Sequence, residues 1–200
     1  MNEFATFVEF GYRHILDIGA LDHILFLLAL AVVYYRRDWR NALWVVSAFT
    51  IGHSITLALS VSGLVKLPIA IIEFLIPVTI ALTCVENLVH VRRDPPPWRH
   101  RYRPLLAGTF GLIHGAGFAD YLKGIFPGRI AVPLVGFNVG VEVGQLVLLV
   151  IFAIVFSASD FLVFTLGGRP RGDQPKYRIV IVSVFAFFMA AGWAVQRRPW

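Results

Sequence analysis

The sequence predicts an all-α, polytopic transmembrane helical bundle of about six spans. Three observations point to it. The 200 residues are 58% hydrophobic and 15% charged, whereas a soluble domain is about a quarter charged. The mean hydropathy is +0.72. Apolar runs of about 20 residues, the length that crosses a bilayer, recur along the chain. In hydrocarbon every backbone N–H and C=O needs an internal partner, so these runs read as helices. Residues 1–200 read as a single transmembrane domain. The lone Cys84 excludes an internal disulfide. The net charge of +6 is not a nucleic-acid signal, because the basic residues cluster between apolar runs, where they set topology.

The first span runs from about Leu21 to Tyr35 and is short for a crossing. The preceding FVEFGYRHILDIG adds helix, with Asp17 and Gly19 marking a broken or re-entrant N-terminal segment. The second span is ALWVVSAFTIGHSITLALSVSG. The third, LPIAIIEFLIPVTIALTCVENLVHV, contains Pro77 as an expected kink. RRDPPPWRHRYR is a loop. The fourth span is PLLAGTFGLIHGAGFADYL. The fifth, VPLVGFNVGVEVGQLVLLVIFAIVFSASDFLVF, is long enough to tilt or project. After the polar GGRPRGDQPKYR comes the sixth, IVIVSVFAFFMAAGWAV. The opening MNEFATFVEFGYR lacks a basic n-region and a small-residue cleavage site, so no signal peptide is expected. Trp44, Trp98, Trp193 and Trp200 fit interfacial anchors.

Lysine and arginine set the expected topology. The loops after spans one, three and five hold Arg36, Arg37, Arg40, Arg92, Arg93, Arg99, Arg101, Arg103, Arg169, Arg171, Lys176 and Arg178. The opposite side holds Arg13, Lys66, Lys123, Arg129, Arg197 and Arg198. The positive-inside bias puts the first group in the cytoplasm and both termini outside.

Polar residues inside the spans then fall at related depths. With about 1.5 Å of rise per residue, His53 stands roughly 18 Å and His114 roughly 15 Å above the cytoplasmic ends of their spans. Glu73 and Asn138 lie about 9 Å, and Glu142 about 15 Å, below the outer ends of theirs. Asp22 and His23 open the uninterrupted part of span one. An ionisable group at mid-bilayer costs about 2.5–3.5 kcal/mol, so six of them need mutual pairing or a cation. Imidazoles and carboxylates suit a divalent transition metal, nickel or zinc foremost. The expected metal set is His23, His53, His114, Asp22 and Glu142. A helix–helix hydrogen-bonding role for each histidine is the structural alternative. Asn138, Glu142 and Gln145 share one helix face, beside a ridge of Gly136, Gly140 and Gly144 that reads as packing. Gly115 and Gly117 could let backbone approach whatever His114 binds. Glu73, Asn138, Gln145, Ser54, Glu86 and His90 form a supporting shell or ion path; Glu86 and His90, at i and i+4, also read as an ordinary polar helix end. His14, near the outer surface, and His100, in the basic loop, read as solvated.

GYRHILDIGALDHILFLLAL, FTIGHSITLALS, VEFLIPVTIALTCVEN, FGLIHGAGFADYL and FNVGVEVGQ resemble the HupE/UreJ family of bacterial membrane proteins, over roughly Gly11 to Gln145. The family's early motif is a histidine, a short spacer and Asp-His, which here is His14, seven residues, then Asp22-His23. That longer spacer marks a divergent branch. The resemblance implies a multi-pass protein of the bacterial inner membrane that takes up or handles nickel.

Two function classes follow. One is a metal permease or metal-handling protein, with its site near the midplane and access from both sides. The other is an intramembrane zinc hydrolase acting on a lipid-like substrate, with His23, His53 and His114 on the metal, Asp22 or Glu142 as base and Ser54 as a polar helper. The family resemblance favours the carrier over the enzyme. Membrane lipid and the metal ion are the expected partners, no nucleic acid is, and a homo-oligomer is left open. A cysteine placed at Arg99 should label from the cytoplasm and one at Lys123 from outside; the reverse pattern would invert the entry side.

Overall fold

The computed structural model describes residues 2–34, 38–92, 102–123, 131–167 and 176–200, without the side chains of 20 and 119–123. Arg36, Arg37, Arg93, Trp98, Arg99, His100, Arg101, Arg129, Arg169 and Arg171 lie outside the described residues. Among the described residues every regular element is helical: α1 (Glu3–Leu16), α2 (Leu21–Ala31), α3 (Trp39–Val61), α4 (Ile69–His90), α5 (Tyr102–Lys123), α6 (Ala131–Gly167) and α7 (Lys176–Gln196).

α3, α4, α6 and α7 are each long and apolar enough to cross a membrane. α1 and α2 qualify together, bent by 70°. α5 has 22 residues, about 33 Å of helix; it is less apolar and lies along α3. The expected helical membrane bundle with a broken first helix is borne out. The break has a local cause. Asp17 Oδ1 accepts the Gly19 N–H at 2.8 Å, and such side-chain bonds compete with the helical ladder. A 3-10 turn over Ile18–Ala20 follows. α6, at 37 residues, measures about 55 Å against about 30 Å of hydrocarbon, so it tilts or projects.

Glycines set how the helices pair. A Cβ on Gly52 would stand 2.0 Å from the Gly108 carbonyl oxygen, one on Gly111 2.2 Å from that of Phe49, and one on Gly115 2.2 Å from that of His53. Contacts advance along both chains together, so α3 and α5 run parallel with their backbones touching. α1 and α6 are a second parallel pair, with Gly140 against Val8 and Tyr12, and Gly11 against Phe137 and Val141. The Gly136–Gly140–Gly144 ridge is therefore packing, as read. Gly115 serves packing too, and Gly117 faces the Ile72 and Ile76 side chains; neither opens room for a ligand at His114. α4 and α7 run antiparallel, since Asn87 meets Ser183 while Phe74 meets Trp200.

Two arginines read as loop cations are instead buried. Arg103 is 1% exposed and Arg178 6%. Arg178 pairs with Asp160 at 2.8 Å and lies 4.6 Å from the Phe156 ring. It also donates to the carbonyls of Val32 and Tyr34. That places a cation at the C-terminal end of α2, where the helix dipole favours one. α2 ends at Ala31; Tyr35, the expected end of the span, lies outside the described residues.

Gly52→Val should lower the thermal midpoint in detergent, by the equivalent of about 1–3 kcal/mol, because overpacking forces α3 and α5 apart. Gly192→Ala, where a Cβ meets nothing within 4 Å, should leave it unchanged.

Candidate metal centre

In a straight helix His14 and His23 would lie on opposite faces, about 13.5 Å apart along the axis. The bend between α1 and α2 brings them together instead, with ring centroids 4.6 Å apart. α3 supplies His53, whose ring lies 6.3 Å from His14 and 6.2 Å from His23. His53 is held by backbone, since its carbonyl abuts Gly115 and its amide nitrogen abuts Gly111. α5 adds His114, 5.7 Å from the His23 ring. Four helices thus converge on four imidazoles.

His14, His23 and His53 each offer a ring nitrogen within 4.8 Å of the others. An ion bound at about 2.0–2.1 Å in tetrahedral geometry needs nitrogens about 3.4 Å apart, so binding would require the three rings to draw together. His114 is next to this trio and not within it. His23, His53 and His114 are buried, at 8%, 0% and 1% exposure. Nε2 of His14, both nitrogens of His23 and of His53, and Nδ1 of His114 are buried without a hydrogen-bond partner among the described residues. A buried polar atom left unpaired costs about 1–3 kcal/mol, so six in one cluster call for a shared partner. Among the described residues the rings that flank the cluster offer none. Phe118 lies 3.8 Å from His14 and stacks on Phe137, while Phe26 and Phe49 flank His114 at 5.0 and 5.2 Å.

Of the three histidines expected from sequence, His23 and His53 fall in this trio and His114 stands beside it; the third member is His14, which the sequence alone reads as solvated. The carboxylates behave differently. One Asp22 oxygen pairs with Arg197 at 2.9 Å; the other is buried and unpaired among the described residues. Glu142 accepts from Ser47 at 2.7 Å, and Gln145 accepts from Thr50 at 2.6 Å. These two rungs join α6 to α3 and leave Glu142 out of the histidine set. Asn138 Oδ1 is buried and unpaired. Glu73 is exposed on the outside of the bundle, so it does not line the site. Ser54 donates to the Thr50 carbonyl at 2.7 Å.

Glu86 and His90 do not form an open ion station. The Glu86 carboxylate pairs with Arg103 at 3.0 Å and accepts from the Tyr102 hydroxyl. His90 Nδ1 lies 2.9 Å from the Glu86 carbonyl oxygen. Arg103 also donates to Asn87 Oδ1 at 2.7 Å. Asn87 in turn donates to the Ala29 carbonyl at 2.8 Å and to Ser183 at 3.1 Å. This network ties α2, α4, α5 and α7 together. Arg103 had read as a loop cation, and no spacing signal in the sequence marks it as Glu86's partner.

The HupE / UreJ protein family matches residues 1–197, so the chain belongs to that family, and the match extends through α7. No curated protein and no solved structure matches the chain.

Removing one partner of a buried ion pair costs about 3–5 kcal/mol. Arg103→Met should therefore lower the thermal midpoint sharply in metal-free protein. Arg103→Met with Glu86→Gln should recover part of the loss, which a double-mutant cycle in detergent would read.

Proposed function

We propose that this HupE/UreJ protein takes a divalent transition metal, nickel or zinc, into its bundle through His14, His23 and His53, and carries it across the membrane. The observation that supports this most is the buried imidazole cluster with bare nitrogens. Neutral imidazole is a ligand for nickel, zinc, copper and iron, and one ion satisfies several nitrogens at a single point.

A polar route beyond the cluster supports a carrier. Thr79, Thr83 and Asn87 recur at i, i+4 and i+8 on one face of α4, all buried at 3% or less. The stripe starts at Thr79, in contact with His114, and ends at Asn87, in contact with Arg103. The Arg103–Glu86 pair would act as the closed end of that route. With Asp22 and Arg197 on the extracytoplasmic side, as the positive-inside bias has it, the ion enters beside α2 and leaves past α4. The hydrolase reading gains nothing from the geometry. Ser54 donates to backbone, Asp22 is engaged by Arg197, and Glu142 by Ser47.

Protein purified in detergent should bind nickel or zinc and show a metal-dependent rise in thermal midpoint, lost on adding chelator. His53→Ala and His14→Ala should each lower metal affinity at least tenfold, the smallest loss expected even for a residue that only supports a ligand. Glu142→Gln should have a milder effect, since Glu142 touches Ser47 and not the histidines. No metal as purified, and no shift with nickel, zinc or cobalt, would sink the reading.

A further inference from the structure

Thr79 touches His114 from α4, and its hydroxyl geometry decides which nitrogen of that ring holds hydrogen. Neutral imidazole has one N–H and one lone-pair nitrogen, and a threonine hydroxyl has one proton to donate. Thr79 Oγ1 lies 2.7 Å from the Ile76 carbonyl oxygen, which can only accept. The hydroxyl proton therefore points to Ile76. The same oxygen lies 3.0 Å from His114 Nε2. With its proton engaged, it acts there as acceptor, so Nε2 bears the hydrogen. The lone pair then sits on Nδ1, which is buried and unpaired among the described residues.

We propose that Thr79 is a positioning residue that fixes His114 as the Nε2–H tautomer and so makes Nδ1 the atom this ring offers to a metal ion. The metal half of this rests on the metal-binding reading above. The tautomer half does not.

The surroundings of both residues suit the assignment. The rings closest to His114 are those of Phe26, Phe49 and His23. Among the described residues Nδ1 has no hydrogen-bond partner, His23 included, so there the opposite tautomer would bury an unpaired N–H and also strip Nε2 of its bond. Thr79 is itself held in place, because Thr83 donates to its carbonyl at 2.9 Å. Pro77, two residues earlier in α4, has no N–H for the Glu73 carbonyl, which frees this turn from the regular ladder on that side. An ion moving from the trio past His23 would then meet a lone pair on His114. The reversed tautomer would present an N–H, which repels a cation. Ligating histidines in general owe their tautomer to a partner on the far nitrogen.

The test is nitrogen-15 NMR of histidine-labelled protein in detergent, metal-free, with His114 assigned by its loss in His114→Gln. Parent and Thr79→Ser should show His114 protonated on Nε2. Thr79→Val, which keeps the shape and loses the acceptor, should show that form depleted. On zinc titration the His114 Nδ1 signal should shift in parent and Thr79→Ser and stay in place in Thr79→Val; an equal shift in folded Thr79→Val would overturn the metal half. His114 protonated on Nδ1 in the parent would overturn the proposal, and this needs only the assigning variant, His114→Gln, to fold. An unchanged His114 tautomer in folded Thr79→Val would overturn it as well. If the tautomer behaves as stated but no form binds zinc, the positioning role of Thr79 stands and the metal reading fails.

Discussion

The arrangement depends on backbone touching backbone at glycine. Where α5 meets α3, Gly111 and Gly115 lie against the amide and carbonyl of His53. Any side chain there would push the helices apart and carry His53 away from His114. The same device holds α1 on α6, with Gly140 against Val8 and Tyr12, and α1 brings His14. In lipid, apolar surface gives no drive for helices to associate, so close approach and van der Waals contact must do it. The two parallel pairs carry His14, on α1, and His53 and His114, on α3 and α5. α2, hinged on the Asp17–Gly19 turn, places His23 between them.

Charge around the cluster is arranged in two tiers. As neutral imidazoles the trio would bring no charge to an ion, so a bound ion would keep its full charge. The carboxylate next to it in sequence is Asp22, which has one oxygen unpaired and the other on Arg197. Asp22 could thus turn its unpaired oxygen to an ion while keeping Arg197 on the other. At the opposite end of the α4 stripe, Arg103 sits with Glu86, Asn87 and Tyr102 in a buried network. On the proposed route a cation would meet a guanidinium there, and passing it would require the Arg103–Glu86 pair to move.

Much of the fold was legible because bilayer length and apolarity are strong constraints. The helices, the broken first segment and the glycine ridge followed from runs, Asp17, Gly19 and spacing. His23, His53 and His114 were legible as costly polar residues in apolar helices. His14 was missed because depth was reckoned along straight helices, and a 70° bend folds it inward. Arg103 and Arg178 were missed because arginines flanking an apolar run look the same whether they face water or turn into the bundle; only the acceptors Glu86, Asp160 and the carbonyls of Val32 and Tyr34, just after α2, distinguish them. Glu142 was misplaced for a related reason. Depth along a helix does not say which neighbour a side chain meets, and Ser47 was nearer than any histidine. Thr79 gave no signal, since a threonine bonded back to its own helix is commonplace.

The central claim is that imidazoles hold the ion. X-ray absorption at the metal edge, on detergent-purified protein loaded with nickel or zinc, reads this most directly. The account predicts a first shell with at least three nitrogen scatterers, at about 2.0–2.1 Å for zinc, and the multiple-scattering signature of imidazole rings, reduced in His53→Ala. A shell of oxygen alone, or one unchanged in His53→Ala, would contradict it.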